Sequence, residues 1–308
     1  MSKLHALFAS AVAVVALAPT AHAQTKLTAS VFTASPGGFL VNSTLVAGEK
    51  EAILIDGQFS LADAHRLVAM IMESKKTLTT VYITHWHPDH YFGLNVIKQA
   101  FPRAKLVATP DTVKQIKKTW KDKVKQWGGM FGDLVPKNPV LPTPLAGKTL
   151  TLEGQTLEIH DKVQGDSPDS SYVWIPSIKT VVAGDIVFRG VHVWTAETNP
   201  ESRKAWIKTL DEIAALKPDV VVAGHKDPKL KDDATGLKVT RDYLNDFDAA
   251  VASSKTPREV QDKVKKKYGD LQLDVILQIG AGAQFPAAAP APAAAPTPAA
   301  APTPPAKK

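Results

Sequence analysis

The sequence predicts an α/β sandwich, in which helices cover the β-sheets that supply the core. Short apolar or alternating runs, which are typical of strands, are interleaved with longer segments whose apolar residues recur at helical spacing. Residues 24–285 lie between an apolar N-terminus and an Ala- and Pro-rich C-terminus, and this stretch is long enough for one large domain with a substantial core. We therefore expect a single α/β domain rather than a helical bundle.

Both ends of the chain are predicted to lie outside that domain. Lys3 precedes an apolar stretch over residues 6–18, and the small residues Ala21 and Ala23 suit a signal peptidase, so residues 1–23 are predicted to be a signal peptide. This indicates a periplasmic or secreted protein. No stable membrane insertion is expected after cleavage, because the apolar stretch is too short for an anchor. Residues 286–308 are mostly Ala and Pro and are predicted to be a disordered tail.

The first half of the domain begins with strands and then alternates strands with helices. Gly37 and Gly48 mark turns between the early apolar runs, and Ser60 is a predicted helix N-cap. A long basic helix ends at a glycine-rich segment, residues 128–132, which we interpret as a mobile flap. The predicted strands cover residues 28–33, 38–46, 51–55, 81–83 and 105–108, and the predicted helices cover 61–73 and 111–127.

The second half repeats this alternation. Four short apolar runs predict consecutive strands, and Asn199 followed by Pro200 predicts the start of a helix, since Asn is a favoured cap and Pro a favoured first residue. The predicted strands cover residues 150–152, 156–160, 172–175, 180–183 and 219–223, and the predicted helices cover 200–216, 230–252 and 257–268.

Charge and cysteine content exclude several functions. The net charge is +7, but the excess lysines lie in residues 114–125 and 255–267, which read as the solvated faces of helices. We do not expect nucleic-acid binding, because Arg-rich patches interleaved with aromatic residues are missing. The chain has no cysteine, so neither disulfides nor thiolate ligands are available. The expected partner is a small-molecule substrate.

The most informative motif is His85-Trp86-His87-Pro88-Asp89-His90. It places four metal-binding side chains within six residues, directly after an apolar strand. In an extended segment alternate residues share a side, so His85, His87 and Asp89 can point the same way while His90 turns at the loop. Imidazole and carboxylate favour zinc, with manganese or iron as alternatives. The motif therefore predicts a metal site.

Four other residues extend this motif into a constellation. Asp56, Asp185 and His225 each follow an apolar run, where loops assemble active sites on a rigid sheet, and Asp166 lies in a loop between two predicted strands. Taken singly, each is typical of a residue that ends a strand. Together with the histidine motif they predict a shared functional site.

These motifs resemble those of the metallo-β-lactamase superfamily over residues 28–284. The matching segments are Leu54-Ile55-Asp56-Gly57, the histidine motif, Ala183-Gly184-Asp185 and Ala223-Gly224-His225. The resemblance implies a four-layer αββα sandwich with two divalent metal ions in a cleft at the sheet edges. It implies that the first ion binds His85 and His87, that the second binds Asp89, His90 and His225, and that Asp185 bridges the two. Asp56 is expected to support the site through hydrogen bonds.

The chain departs from the family pattern at the third ligand of the first ion. The family has a histidine there in a Gly-His-Ser/Thr turn, whereas this chain reads Gly165-Asp166-Ser167. Asp166 is the expected replacement, because a carboxylate is a competent ligand and favours iron or manganese slightly more than imidazole does. His160, at the end of the preceding predicted strand, is the alternative.

The resemblance also implies a mechanism in which two metal ions hold a shared hydroxide and polarise the substrate. Asp89 is expected to orient that hydroxide and to pass its proton to the leaving group. Trp86, Phe131 and Trp194 are expected to line the substrate pocket. His192 is expected either to contact the substrate there or to pack on Trp194 at the surface.

The predicted function is that of an exported dinuclear hydrolase acting on a small ester, lactone, thioester or cyclic amide. Asp185 stands where the cysteine-using zinc β-lactamases have cysteine, so the chain resembles the glyoxalase and lactonase relatives more closely. A cysteine-free periplasmic β-lactamase is one alternative. The other is a non-catalytic member that binds metal or ligand, with a first site impaired by the change to Asp166.

Overall fold

Two β-sheets form the centre of the molecule in a computed structural model that describes residues 26–285; the predicted signal peptide and tail lie outside the described residues. The first sheet has the strand order β1-β2-β3-β4-β5-β6. Its strands are β1 (Thr28–Thr33), β2 (Asn42–Ala47), β3 (Glu51–Ile55), β4 (Thr77–Ile83), β5 (Lys105–Ala108) and β6 (Thr143–Pro144). β1, β2 and β3 pair antiparallel, and β3 to β6 pair parallel.

The second sheet has the order β12-β10-β9-β8-β7, beside a two-stranded ribbon of β11 and β13. Its strands are β7 (Thr149–Leu152), β8 (Gln155–Val163), β9 (Ser170–Ile175), β10 (Thr180–Val182) and β12 (Val220–Val222), and the ribbon is β11 (Phe188–Arg189) with β13 (His225–Lys226). β7 to β10 pair antiparallel, whereas β10 and β12 pair parallel, as do β11 and β13.

Seven helices cover these sheets within the described residues. They are α1 (Leu61–Glu73), α2 (Leu94–Ala100), α3 (Pro110–Phe131), α4 (Pro200–Ala215), α5 (Thr235–Ala252), α6 (Pro257–Tyr268) and α7 (Asp274–Ala283). The Ser60 side chain accepts a hydrogen bond from the Asp63 amide and caps α1, and Asn199 with Ser202 forms a capping box at α4. Within residues 26–285, none of the helices has the length and hydropathy that a bilayer span requires.

Three apolar clusters define the layers of the fold. The central cluster is built by both sheets, with Ile53 and Tyr82 from the first sheet among Leu157 and Val173 from the second. A second cluster joins the outer face of the first sheet to α1, α2 and α3, and a third joins the second sheet to α4, α5, α6 and α7. Each sheet is therefore buried on both of its faces, which explains why its strands are nearly continuous apolar runs in the sequence. The predicted αββα sandwich is confirmed.

The pairing of the strands determines where the loops with metal-binding residues lie. β3 and β4 are parallel, so Asp56 after β3 and the histidine motif after β4 lie at the same sheet edge. β10 and β12 are also parallel, which brings together Asp185 and His225 in the segments that follow them. Parallel strands therefore concentrate these residues at one edge of the sandwich.

Candidate metal centre

Asp56 organises the start of the histidine motif. Its carboxylate accepts hydrogen bonds from the Thr84 amide at 2.9 Å and from the Thr84 hydroxyl at 2.9 Å, and it lies 2.9 Å from His90 Nδ1. The Thr84 hydroxyl also contacts His85 Nδ1 at 3.1 Å. Asp56 has a positive φ of 65°, a backbone conformation that Asp tolerates better than most residues. Asp56 thus orients both His85 and His90, in keeping with its expected supporting position.

The first cluster of metal-binding side chains contains His85, His87, Asp166 and Asp185, with one candidate ligand atom from each within 4.8 Å of the others. His87 Nδ1 lies 2.8 Å from Asp166 Oδ2. His85 Nε2 lies 3.8 Å from Asp166 Oδ1 and 3.7 Å from Asp185 Oδ2. All four residues are buried.

The second cluster contains Asp89, His90, Asp185 and His225. His225 Nε2 lies 3.1 Å from Asp89 Oδ2 and 3.2 Å from Asp185 Oδ2, and His90 Nε2 lies 3.1 Å from Asp185 Oδ1. Asp185 is the residue common to both clusters, as expected for a bridging ligand.

The loop of His225 is held by the segment between β1 and β2. His225 Nδ1 donates to the Phe39 carbonyl at 2.7 Å, the Asn42 amide donates to the Gly224 carbonyl at 2.7 Å, and the Asn42 side chain donates to the Ala223 carbonyl at 2.8 Å. Since Nδ1 donates to this carbonyl, Nε2 is the ring nitrogen that would bind a cation. A Cβ at Gly224 would lie 2.0 Å from the Asp185 carboxylate, so only glycine allows this approach.

The protonation of the first cluster indicates a cation site. Burial raises the pKa of Asp166 to about 7, against the lowering effect of His87. Burial lowers the pKa of His87, but Asp166 and Glu197 outweigh burial and raise it to about 10. Burial and the neighbouring His90 lower the pKa of His85 well below its ordinary value, so this imidazole is neutral. A divalent cation can take the place of the proton shared by Asp166 and His87.

Buried polar atoms without a hydrogen bond of good geometry support the same interpretation. Among the described residues, the buried atoms His85 Nε2, His90 Nε2, Asp166 Oδ1 and Asp185 Oδ1 make no hydrogen bond of good geometry, although His90 Nε2 and Asp185 Oδ1 lie 3.1 Å apart. Buried polar atoms are normally satisfied, and these atoms converge on the two clusters. Imidazole nitrogens and carboxylate oxygens form a donor set that suits zinc, manganese or iron. The residues present therefore fit one divalent ion in each cluster.

Glu197 is a site residue that the sequence did not reveal. It follows β11 in the loop before α4, where His87 Nε2 contacts its carboxylate at 2.9 Å and Lys123 of α3 pairs with it at 3.1 Å. Burial raises the pKa of Glu197, but His87 and Lys123 outweigh burial and lower it to about 2. Glu197 ends no apolar run and belongs to no motif, so only the fold places it beside His87.

An apolar cavity of about 230 Å³ opens onto the two clusters. His87, Asp89, Asp185 and His225 line one end of it. Five aromatic side chains line another part of it, namely Phe39, Phe59, Trp127, Phe131 and Trp194. Met130 of α3 and Val275, Ile276 and Ile279 of α7 complete the wall. Phe131 and Trp194, which the sequence predicted to line the substrate pocket, thus line this cavity.

Two residues predicted for the pocket lie outside it. His192 is fully buried, with Nδ1 contacting the Tyr243 hydroxyl at 3.0 Å and Nε2 lying 3.3 Å from Asp274, so it neither lines the cavity nor lies at the surface. Trp86 does not line the cavity. The ring centroids of Trp86 and His87 lie 4.6 Å apart, and the Lys123 ammonium lies 4.9 Å from the centroid of the Trp86 ring. Trp86 therefore packs against a candidate metal ligand from outside the cavity.

The structure distinguishes between Asp166 and His160, the two candidates for the third ligand of the first ion. Asp166 lies in the first cluster. His160 is stacked on Tyr172 with ring centroids 4.5 Å apart and lies 3.5 Å from Glu158, on a part of β8 that does not face the cluster. The alternative ligand His160 is therefore excluded by position.

The glycine-rich segment is not the break that the sequence suggested. α3 continues through Gly128 and Gly129 to Phe131 and ends only at Gly132, whose φ is +54°. This last turn carries Trp127, Met130 and Phe131 to the cavity. The predicted flap is thus the end of a continuous helix.

Comparisons with known proteins agree with this geometry. A family model described as the metallo-beta-lactamase superfamily matches residues 36–225, more than half of the chain. No curated protein matches the chain. Several solved structures are similar to it. The DIM-1 metallo-beta-lactamase has 21% identity and a TM-score of 0.53, over 71% of this chain and 93% of that chain.

Two other solved structures have comparable similarity. A metallo-beta-lactamase family protein from Thermus thermophilus has 19% identity and a TM-score of 0.61, over 84% of this chain and 91% of that chain. A metallo-beta-lactamase from Pontibacter korlensis has 20% identity and a TM-score of 0.51, over 71% of this chain and 95% of that chain. At these identities, the likeness to solved structures shows the fold alone.

Proposed function

Because the chain belongs to the metallo-beta-lactamase superfamily, we propose that it is an exported, dinuclear metal-dependent hydrolase that cleaves a small ester, lactone, thioester or cyclic amide. The observation that carries this proposal is the pair of clusters that share Asp185 and face an apolar cavity. Each of the two clusters would hold one divalent ion, and such ions would supply a hydroxide nucleophile at neutral pH and polarise the substrate carbonyl.

The side chains divide the remaining tasks of the reaction. Asp89 lines the cavity, and its side chain is 16% exposed, more than that of any other residue in the two clusters. Burial raises the pKa of Asp89, but His90 and His225 outweigh burial and hold it well below its usual value, so the carboxylate is ionised. We infer that Asp89 accepts a proton from the attacking water and delivers it to the leaving group.

The cavity also supports hydrolysis by excluding water from the apolar end of the substrate. Phe131 and Trp194 line the cavity together with the candidate metal ligands, and no serine or threonine lines it among the described residues. The proposed reaction thus uses no side-chain nucleophile. A small neutral molecule is the proposed substrate.

The test combines metal analysis with a substrate panel. The purified full chain should hold two divalent ions, measured for zinc, manganese and iron, and should hydrolyse at least one chromogenic ester, lactone, thioester or cephalosporin. His87→Ala and His225→Ala should each lose at least one ion and most of the activity. His65→Ala, at an exposed position on α1, is the matched control and should retain both.

Two outcomes would contradict the proposal. Trace metal in the wild-type protein would rule out the dinuclear site. Two bound ions without hydrolysis of any substrate class would instead favour the non-catalytic alternative. Cleavage of the cephalosporin alone would identify a cysteine-free β-lactamase.

The proposed export rests on residues 1–23, which resemble a signal peptide in their charge and hydropathy. Mass spectrometry of protein recovered from the periplasm or the medium should give Gln24 as the first residue. Recovery of the chain only from the cytoplasm with Met1 intact would contradict export.

A further inference from the structure

The mouth of the cavity carries an unusual share of exposed apolar surface. Six large apolar side chains are exposed among the described residues, and three of them line this cavity: Met130 at 65%, Val275 at 45% and Ile279 at 40%. Apolar side chains that cluster around one opening generally mark a binding surface, because a ligand that covers them removes their area from water.

Met130 on the last turn of α3 and Val275 and Ile279 on α7 form an apolar wall of the cavity, and both helices pack tightly against neighbouring segments of the site. α7 packs so closely on the segment after β11 that a Cβ at Gly280 would lie 2.4 Å from the Thr195 hydroxyl, and Gln284 donates to the Thr195 carbonyl at 3.2 Å. Trp194 and Glu197 flank that segment. On the other side, Phe59 contacts Phe131 and Trp127 with ring centroids 4.9 and 5.6 Å apart. The wall is therefore preorganised.

The wall offers no free positive charge. Lys123 is the only Lys or Arg lining the cavity among the described residues, and its ammonium is paired with Glu197 at 3.1 Å and lies over the Trp86 ring at 4.9 Å. A carboxylate placed at the apolar end would lose its hydration without gaining an unpaired cation. The wall therefore disfavours charged substituents.

We propose that α7 and the last turn of α3 bind an uncharged alkyl or aryl group of the substrate, so that the preferred substrates are neutral acyl compounds with a medium-length apolar chain. This rests on the proposed hydrolase function and names its substrate class. Short acyl groups leave the wall exposed to water, and a carboxylate at the far end of the chain loses its hydration at the wall without gaining an unpaired cation.

Three chromogenic esters test the proposal on the metal-loaded full chain: 4-nitrophenyl acetate, 4-nitrophenyl octanoate, and the 4-nitrophenyl half-ester of octanedioic acid. The last two have the same chain length and differ in the terminal carboxylate. We expect kcat/KM for the octanoate to exceed that for each of the others by about tenfold or more, because each buried methylene favours binding. Similar values for the octanoate and the half-ester would overturn the proposal.

Variants locate the effect on the wall. Met130→Gln and Ile279→Gln should each lower the octanoate-to-acetate ratio of kcat/KM by about threefold or more. Met72→Gln is the matched control, since Met72 lies on α1 away from the cavity and is 64% exposed, nearly the same as Met130. Equal ratios in the Met130→Gln and Met72→Gln variants would contradict the assignment of the wall.

A binding experiment separates this inference from the proposed function. Without metal, 2-decanone should bind the protein saturably and change the fluorescence of Trp127 and Trp194, and Ile279→Gln should weaken that binding by about threefold. If no ester is cleaved but this binding is observed, the hydrolase proposal fails while the apolar site stands. If esters are cleaved but 2-decanone does not bind, the apolar site is wrong.

Discussion

Asp166 gives the first cluster its particular charge, since two carboxylates and two imidazoles surround one candidate ion. The carboxylate is fully buried, and its amide donates to the Asp185 carbonyl at 3.2 Å, so the backbone fixes its position relative to the bridging residue. A buried carboxylate is costly without a cation. Asp166 is therefore better explained as a ligand than as an element of the core.

We expect Asp166→Ala to lower zinc affinity at the first cluster by about tenfold or more, because the ion would retain only His85, His87 and the bridging Asp185. Asp166→His should retain both ions and shift preference towards zinc, since imidazole is the softer ligand. Competition with a chromophoric chelator measures both effects. His160→Ala is the control and should leave zinc affinity unchanged; loss of metal in that variant alone would contradict the assignment.

Glu197 acts on His87 from the side opposite the first cluster. His87 Nδ1 faces Asp166, so Nε2 carries the proton that bonds to the Glu197 carboxylate. A carboxylate in this position fixes the tautomer of a histidine ligand and raises its basicity. Lys123 in turn holds the carboxylate in place.

Replacing Glu197 by alanine should weaken zinc binding at the first cluster by about tenfold, and Glu197→Gln should weaken it less, because the amide oxygen still accepts from His87. The same chelator competition measures both. Glu201→Ala, an exposed change at the start of α4, should have no effect. Equal affinities in the wild type and Glu197→Ala would show that Glu197 does not position His87.

Among the helices, the end of α3 shows how regular structure continues through unfavourable residues. Gly128 and Gly129 cost helix stability, yet the aromatic side chains around them pack on Phe39 and Phe59. A Cβ at either glycine would meet no atom within 4 Å. Tertiary packing therefore stabilises a turn that local propensity disfavours.

Gly128→Ala and Gly129→Ala should each raise the free energy of unfolding by about 0.5–1 kcal/mol, because alanine favours the helix and fits without contact. Urea unfolding gives the values. Gly132→Ala is the opposite control and should destabilise the protein, since Gly132 has φ +54°. If Gly128→Ala and Gly129→Ala destabilised the protein as well, the segment would be a break and not part of the helix.

The predictability of each element follows from the strength of its local signal. The strands β3 and β12 and the helices α1 and α4 were predictable, because apolar runs and caps mark them in the sequence, whereas only the last three residues of β4 were predicted. α2 has only seven residues, too few for a helical period to show. α7 is rich in glycine and alanine, and its first residue follows Leu273 with φ +64°. Residues 38–41 do not join β2 as predicted, because Phe39 and Leu40 adopt positive φ.

The residues of the site also differ in how far the sequence could predict their positions. The seven histidines and aspartates of the motifs lie within a few residues after the ends of strands, so strand pairing alone brings them together. His192, Trp86 and Glu197 depend on how helices and long loops pack, and sequence spacing carries no information about that. The wall formed by α7 was unpredictable for the same reason.

Across the domain as a whole, the candidate ligands are divided between the two halves of the sandwich. The histidine motif belongs to the first sheet, whereas Asp166, Asp185 and His225 follow strands of the second sheet or ribbon. An ion bound to both sets holds the halves together and favours the folded state.

Removal of metal with a chelator should therefore lower the melting temperature. At a zinc concentration of 100 times Kd, each site contributes about 2.7 kcal/mol of stability. For a domain of this size, that corresponds to a fall in Tm of about 5 °C or more on chelation, measured by calorimetry. The His87→Ala variant should show a smaller fall, and an unchanged Tm in the wild type would contradict metal binding across the halves.

The contact between Phe39 and His225 also has a consequence for how the chain folds. These residues are 186 positions apart, and the hydrogen bond between them joins the ends of a loop that spans most of the domain. Closing such a loop costs roughly 5 kcal/mol in chain entropy, so His225 is expected to reach the second cluster late in folding. Contacts made after the folding barrier slow unfolding and leave the folding rate unchanged. Metal binding should therefore act chiefly by extending the lifetime of the native state.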